Sequence, residues 1–430
     1  MTPPRAACMI LASVLCAEAG WAGPERAEFV PSADMDLGGL IRAVRESSPA
    51  LQQEHLAVEL SQADARQSRL IDNPVLDAAV GTLPLGAPNP PDLPRPLVNI
   101  PNYSVGLSLH PDLARRAPRI ERAQGLLRAA ESHRRYAVRV QALLLLRTLG
   151  DLSTATLRLV ADQRLTAQAR GTLTLARDRV RTGFGTPLDA DRAEMEALRL
   201  EQQVAADQGE LLAIQASCAE FVGARCGSFA DDNGARRFLS AWLARAEAVT
   251  TPPMSRPDLR ALAEQRAASV AEGQLARAQL APDPTVRIGY MYDSFIASGN
   301  QQHSMSVLLS LPIPVIDHGQ AGSQAAHARV RRFAEQERLT LVAAQARVTS
   351  LRQALFMQRQ RLATLQQQVV PRAQGILRDV RRAFEARAVP LTDLNQAQQA
   401  LDELLLQEAT ALGDAFRLTV ELLEQGASDE

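Results

Sequence analysis

The chain has 430 residues, 46% hydrophobic and only 4% aromatic, and its 47 basic and 48 acidic side chains leave a formal net charge of −1. Every basic residue is an arginine, and the charges are dispersed, which argues against nucleic acid as the main partner. Four cysteines and six scattered histidines disfavour a disulfide scaffold and a zinc protein. Abundant Ala, Leu, Gln, Arg and Glu instead indicate long helices packed through small side chains.

Residues 1–22 have the pattern of a signal peptide. Arg5 precedes an apolar stretch, 6–16, that is too short to cross a bilayer as a helix, and the small residue Ala22 favours cleavage after it. Cys16 leaves open whether the protein is lipidated at this cysteine. After cleavage the chain keeps Cys218 and Cys226, which could form a disulfide in an oxidising compartment or remain unpaired.

The same series of elements occurs twice along the chain, which predicts two structural repeats. The first repeat, 23–253, is expected to contain a helix over 36–72, strands over about 75–83 and 103–110, helices over 112–182 and 188–222, and a linker over 223–253. The second repeat, 254–430, is expected to contain helices over 257–281, 318–388 and 391–425 and strands over 285–293 and 304–311. We expect the linker to hold a short helix around Trp242, over 236–249.

Apolar and small residues alternately three and four apart predict coiled-coil seams along the long helices. One seam runs through Met195, Leu198, Gln202, Ala205, Gly209, Leu212, Ala216 and Ala219; another through Leu351, Leu355, Gln358, Leu362, Leu365, Val369, Arg372 and Ile376; a third through Leu394, Ala397, Leu401, Leu404, Glu408, Ala411, Ala415, Leu418 and Leu422. Pro371 should kink its helix because it removes a backbone hydrogen bond. At ~1.5 Å per residue, a helix of about seventy residues is too long for a compact domain.

The strand-like runs alternate apolar residues with small or polar ones over about ten residues, as membrane β-strands do. The apolar positions are Tyr103, Val105, Leu107, Leu109, Val286, Ile288, Tyr290, Tyr292, Val307 and Leu309. The tyrosines suit an interfacial girdle. A soluble amphipathic sheet fits the alternation equally well, but nothing else in the pattern would cover its apolar face. If the strands span a membrane, several copies of the chain must share one barrel, because four strands cannot close a barrel and lipid does not tolerate open strand edges. Two copies supply eight strands and three supply twelve.

Several short motifs, taken in order, resemble the TolC-type outer-membrane efflux proteins. Each long helix ends at a stretch of helix-breaking residues, 182–187 in the first repeat and 388–390 in the second. The motifs are Ser48-Pro49-Ala50-Leu51; Gly183, Thr186 and Asp189 at the first of these stretches; Ser310-Leu311-Pro312-Ile313-Pro314; and Asp393-Leu394-Asn395-Gln396-Ala397 after the second. The sequences of residues 256–259 and 284–290 are similar to the branch of this family that serves heavy-metal cation pumps. The resemblance covers nearly the whole mature chain.

The resemblance implies a mainly α fold with membrane β-strands. It implies a homotrimer with a twelve-stranded β-barrel continuous with a periplasmic α-barrel, in the Gram-negative outer membrane and in contact with its lipid. The partners would be a periplasmic adaptor and an inner-membrane pump. The function would be the passive exit duct of a tripartite RND-type efflux system for small solutes, including heavy-metal cations or drugs. No enzyme activity, cofactor or metal site is expected. The alternatives are the duct of a type I protein secretion system and a periplasmic coiled-coil scaffold without channel activity.

The resemblance also assigns roles at the two helical tips. Asp393 matches an acidic gate position, whereas Gln396 replaces the second acid of the family's pattern. Asp189 is a further candidate gate residue. Asp393 could equally cap its helix, and for Asp189 capping is the favoured role; the two roles are compatible. Candidate adaptor-docking residues at the tips are Gly183, Phe184, Gly185, Thr186, Leu188, Pro390 and Leu391.

Overall fold

A computed structural model describes residues 28–83, 85–86, 94–245, 256–278, 283–294 and 301–426. The signal-peptide residues, including Cys16, lie outside the described residues. The first repeat contains α1 (Leu37–Ser47), α2 (Leu51–Gln67), β1 (Val75–Gly81), α3 (Pro96–Asn99), β2 (Asn102–Leu109), α4 (Arg116–Arg181), α5 (Pro187–Val222) and α6 (Asp232–Arg245). The second contains α7 (Pro257–Ala278), β3 (Thr285–Asp293), β4 (His303–Ser310), α8 (Gln320–Thr364), a π-helical turn (Leu365–Val369), α9 (Val370–Glu385) and α10 (Leu391–Gln425).

Two helices replace the single helix expected over 36–72. Asp36 begins α1 by accepting a hydrogen bond from the Gly39 N–H at 2.8 Å. Ser48 then leaves the helix with φ −75° and ψ 118°. A residue that precedes a proline is driven out of the helical region by the proline ring, so Pro49 separates α1 from α2.

The second long helix, expected over 318–388, is interrupted by the π-helical turn directly before Pro371. The Val370 N–H bonds to the Leu365 carbonyl, five residues back instead of four. One extra residue in a turn is a usual way to accommodate the missing N–H and the ring of a proline.

This extra residue shifts the buried seam. Leu351, Leu355, Leu362 and Leu365 are buried as expected, but the buried residues beyond the turn are Val370, Leu377 and Phe384. Ile376, predicted on the seam, is 54% exposed, and Arg372 is exposed as well. The predicted seam is therefore wrong by one residue beyond the turn.

The seam predicted on α5 is also wrong for the single chain. Met195, Leu198 and Leu212 are exposed, whereas Ala193, Ala197 and Leu200 are buried against the rest of the chain. α5 packs along α4 through these smaller residues. The apolar residues of the predicted seam form a second stripe, which lies open on the surface.

The main core lies where α6 packs against both long helical hairpins. Phe238 and Trp242 of α6 are buried with Phe416 of α10, and the Phe238 and Phe416 ring centroids are 5.7 Å apart. Gly150 of α4 leaves room for the Phe416 ring, which a Cβ at that position would overlap. α6 begins at Asp232, four residues before the expected start, and residues 246–249 lie outside the described part of the chain.

Cys218 and Cys226 form a disulfide beside this core, with their Cα atoms 5.9 Å apart. Cys226 also pairs with Phe29 in a short parallel bridge: the Phe29 N–H donates to the Arg225 carbonyl and the Gly227 N–H donates to the Phe29 carbonyl. The disulfide thus fixes the loop after α5 to α5 itself, and the bridge holds the same loop against the N-terminal segment.

The four strands form one antiparallel sheet in the order β1-β2-β3-β4. Both hairpins contribute, because β2 of the first repeat pairs with β3 of the second, with Val105 opposite Tyr290. β1 and β4 each have one neighbouring strand and form the two edges of the sheet.

Candidate functional site

One face of the sheet is apolar and exposed. The strand register places Val105, Tyr290 and Met305 side by side, and Leu107, Ile288 and Val307 form the next row. Several of these side chains are about half exposed, and Val307 is 74% exposed. Apolar rows of this size are normally covered by another surface, so the sheet is built to contact an apolar environment or partner.

Aromatic groups collect at one end of this face. The Tyr103 and Tyr292 ring centroids are 6.5 Å apart, and the Tyr290 hydroxyl lies 2.6 Å from His303 Nδ1. These residues lie at the end of the sheet that is far from the long helices. Amphipathic rings at the end of an apolar strand surface are typical of an interface between lipid and water.

The first tip joins α4 to α5 through residues suited to a tight turn. Gly183 has φ +75°, a conformation that glycine adopts without strain. Thr186 and Asp189 form a capping box: the Asp189 N–H donates to Thr186 Oγ1 at 3.2 Å, and the Thr186 N–H donates to Asp189 Oδ2 at 3.0 Å. These bonds hold the pKa of Asp189 below its usual value. Asp189 is therefore engaged in capping its own helix.

The second tip joins α9 to α10 with different residues. Pro390 occupies the N-cap position without a side-chain cap. Asp393 lies exposed in the first turn of α10, where Thr392 Oγ1 donates to its carboxylate at 3.5 Å. Gln396 is exposed one turn further along the helix. Asp393 and Gln396 thus lie on the surface near the end of the second hairpin.

The two tips contact each other through two arginine–aromatic stacks. The Arg387 guanidinium lies 3.9 Å from the Phe184 ring centroid, and the Arg179 guanidinium lies 4.4 Å from the Phe384 ring centroid. Sequence reasoning identified Phe184 but missed Arg179, Phe384 and Arg387. A signal was available for Arg387, because it occupies the turn position that Gly183 has in the first tip.

The candidate docking residues divide into two groups. Gly183, Phe184, Thr186, Leu188 and Pro390 are exposed, and Gly185 is partly exposed. Leu391 differs from the expectation, because it is buried in the small core near the tips with Leu394 and Leu401. Its apolar side chain follows the N-cap and packs between the hairpins, so it is not on the docking surface.

A group of acidic residues lies within the helices, far from the tips in sequence. Asp207 of α5 is 3% exposed, and its Oδ2 has no hydrogen-bond donor among the described residues. Burial, a hydrogen bond with Asp207 and the charges of Asp207 and Asp402 raise the pKa of Asp162 of α4 to about 7. Gln203 donates to Asp207 Oδ1 at 3.0 Å. This part of the first hairpin therefore takes up a proton near neutral pH.

Among the residues that the structure describes, each helix is too short or too polar to span a membrane.

No family model matches the chain, and no curated protein is similar to it in sequence. Solved structures are similar over almost the whole chain. The outer-membrane channel OprN superposes with a TM-score of 0.71 at 18% identity, covering 99% of this chain and 98% of that chain. CusC, which forms a transmembrane channel, gives a TM-score of 0.73 at 15% identity, covering 94% of this chain and 98% of that chain. The outer membrane protein VceC from Vibrio cholerae gives 0.69 at 19% identity, covering 92% and 97%.

OprN and CusC are thus channel proteins, and VceC is an outer membrane protein. The similarity to OprN covers 99% of this chain, so it includes the sheet and both helical hairpins. The TolC-type fold predicted from the sequence is confirmed.

Proposed function

We propose that the protein is the outer-membrane exit duct of a tripartite RND-type efflux system. The observation that carries this proposal is the four-stranded sheet, which has two open edges and an exposed apolar face at one end of very long helices. Lipid can cover such an apolar face. It holds no water to form hydrogen bonds with the open strand edges, which therefore need another partner. The similarity to outer-membrane channels over the full length of the chain supports the same function.

The edges of the sheet support assembly of three copies. If β4 of one copy pairs with β1 of the next, every edge is satisfied, and three copies form a closed barrel of twelve strands. The exposed stripe of Met195, Leu198 and Leu212 on α5 would be covered by a neighbouring copy at the same time. The long helices would then form a periplasmic tube continuous with the barrel.

The tips support docking to partners in the periplasm. Phe184 and Leu188 are 58% and 54% exposed and give the end of the first hairpin an apolar surface. A periplasmic adaptor that connects to an inner-membrane pump would cover them. Transport through the duct itself would be passive and would require no cofactor.

We further propose that Asp393 acts as a gate residue. Its carboxylate is exposed near the end of the second hairpin, and three copies around one axis would form a ring that favours cations and repels anions. The resemblance to the heavy-metal cation branch extends this proposal to the cargo, with drugs as the other class of solute.

The test is single-channel recording of the purified full-length protein in planar bilayers, together with its mass in detergent. We expect a trimer with small, cation-preferring openings, and Asp393→Ala should widen the openings or reduce the preference. Gln399→Ala, on an exposed position of the same helix, is the matched control. A monomeric protein that never enters the bilayer would contradict the duct and favour the periplasmic scaffold. Channels that ignore Asp393→Ala would contradict the gate alone.

The cargo is tested separately in cells. Loss of the gene should increase sensitivity to heavy-metal salts if these cations are exported, or to drugs if they are. A defect confined to a secreted protein would instead support the type I secretion duct.

A further inference from the structure

The second face of the sheet is mainly small and polar, and it carries few charges. In the four strands that the structure describes, the charged residues on this face are Asp77, Arg287 and, at the end of β3, Asp293. The first two lie within their strands, each at the third position. If the apolar face contacts lipid, as the proposed function requires, this second face lines the water-filled lumen.

Arg287 and Asp77 are bound to each other. Arg287 Nε donates to Asp77 Oδ1 at 2.8 Å, and a second guanidinium nitrogen donates to the same oxygen. The other carboxylate oxygen accepts from Ser108 Oγ at 3.1 Å. Because Asp77 belongs to β1 and Arg287 belongs to β3, the guanidinium crosses the whole width of β2.

Two glycines make room for this crossing. Gly106 of β2 lies opposite Asp77 on one side and opposite Gly289 on the other. A Cβ at Gly106 would lie 2.6 to 2.8 Å from the guanidinium atoms, and a Cβ at Gly289 would lie 3.4 Å from one of them. Any side chain at position 106 would push the guanidinium away. The sheet is therefore shaped for the pair, which we call the Arg287–Asp77 strap.

We propose that the Arg287–Asp77 strap determines the ion selectivity of the duct at the level of the sheet. The proposal rests on the proposed function. With the two charges bound to each other, the lumen is neutral at this height. Without its partner, either residue would form a ring of three like charges in a three-copy duct. A ring of carboxylates selects cations, and a ring of guanidinium groups selects anions.

The test measures reversal potentials of the full-length protein in planar bilayers under a KCl gradient. Asp77→Asn should lower the ratio of potassium to chloride permeability about three-fold, and Arg287→Gln should raise it by a similar factor, because the charge left without its partner attracts one ion and repels the other. The double variant should return to the wild-type ratio. Ser304→Asn, on the same face, is an uncharged control.

The same recordings are made with Asp393→Ala as the background, so that a narrow tip does not hide the selectivity of the sheet. Opposite shifts in the single variants that cancel in the double variant support the proposal. The proposal is overturned if the single variants assemble and show the wild-type ratio of potassium to chloride permeability. The proposed function stands in that case, because the wild-type protein still forms channels. A wild-type protein that forms no channels overturns both.

Assembly gives a second measurement. If a single variant fails to assemble and the double variant succeeds, the result supports the proposal, since only the unpartnered charge is then intolerable in the lumen. If the double variant fails as the single variants do, the strap is required for the sheet itself and the selectivity proposal is overturned.

Discussion

The two helical hairpins are built by different means. The first, α4 and α5, runs from Arg116 to Val222 with a single turn, which a glycine and a capping box stabilise locally. The second is interrupted by a π-helical turn, has Arg387 at φ +63° in its tip and lacks a side-chain cap before α10. A non-glycine residue in the left-handed region is strained by about 1 kcal/mol or more.

Contacts with the first repeat offset these local defects. Beside the π-helical turn, Gln366 donates to Glu408 at 3.2 Å, and Glu408 accepts from Arg236 of α6 at 2.6 Å. At the tip, Arg387 stacks on Phe184. The first hairpin therefore depends mainly on its own sequence, whereas the second depends on what it touches.

The largest expected effect is at the main contact between the hairpins. Phe416→Ala should destabilise the protein by about 3–5 kcal/mol, because a fully buried ring is lost above Gly150 and a cavity remains. The measurement is thermal unfolding in detergent. Phe356→Ala, at a ring that is 59% exposed on α8, is the matched control and should change stability little. Equal effects of the two variants would show that the hairpins do not depend on this contact.

Thr186→Ala tests the local stability of the first tip. Loss of the capping box should lower stability by about 1 kcal/mol. Because the pKa of Asp189 is lowered in the folded state, its contribution is present above pH ~4 and is lost as the pH falls through the folded pKa. The variant and the wild type should therefore converge in acid. Thr392→Ala, in the second tip, should have almost no effect, and an equal loss there would remove the contrast between the tips.

Asp162→Asn tests whether the first hairpin is stabilised by its own sequence throughout, because it also contains a carboxyl group whose ionisation lowers stability. A folded-state pKa of about 7 against 3.8 means that stability falls as the pH rises between these values. Asparagine cannot ionise, and its amide can keep the hydrogen bond that Asp162 shares with Asp207. We expect the variant to be more stable than the wild type by about 1 kcal/mol at pH 8, after allowance for solvent screening, and no more stable at pH 4.

Asp379→Asn is the matched control, because Asp379 and Arg382 form an ion pair 3.9 Å apart and both are 79% exposed. Thermal unfolding at pH 4, 6 and 8 gives the comparison. A gain that is independent of pH would show that the amide hydrogen bond, and not the removed charge, stabilises the variant.

Much of the fold could be predicted because it follows from the local periodicity of apolar residues in the sequence. The alternation of Val105, Leu107 and Leu109 identifies a strand with one apolar face, and the short motifs, taken in order, resemble the TolC-type proteins. The phase of the seam after Pro371 could not be predicted, because a proline can be accommodated by a kink or by a π-helical turn. The choice depends on contacts, such as that of Gln366 with Glu408, that periodicity does not contain.

The site residues that sequence reasoning missed all depend on distant partners. Arg287 and Asp77 are 210 residues apart and meet only because β2 pairs with β3. The pairing of Asp162 with Asp207 similarly requires α4 to lie against α5 in one register. Residue type alone presents each of these as an ordinary surface charge.

The smallest expected effect lies at Arg387. Arg387→Gly relieves the strain at φ +63°, worth about 1 kcal/mol, and loses the stack on Phe184, worth about 0.5–1 kcal/mol, so stability should stay within about 0.5 kcal/mol of the wild type. Arg387→Ala keeps the strain and loses the stack, so it should be less stable than the glycine variant by about 1 kcal/mol. Gly183→Ala, which introduces the same strain in the first tip without removing a stack, should lose a similar amount. If the glycine and alanine variants of Arg387 unfold at the same temperature, the stack and not the backbone determines the second tip, and its dependence on the first tip is stronger than the contacts indicate.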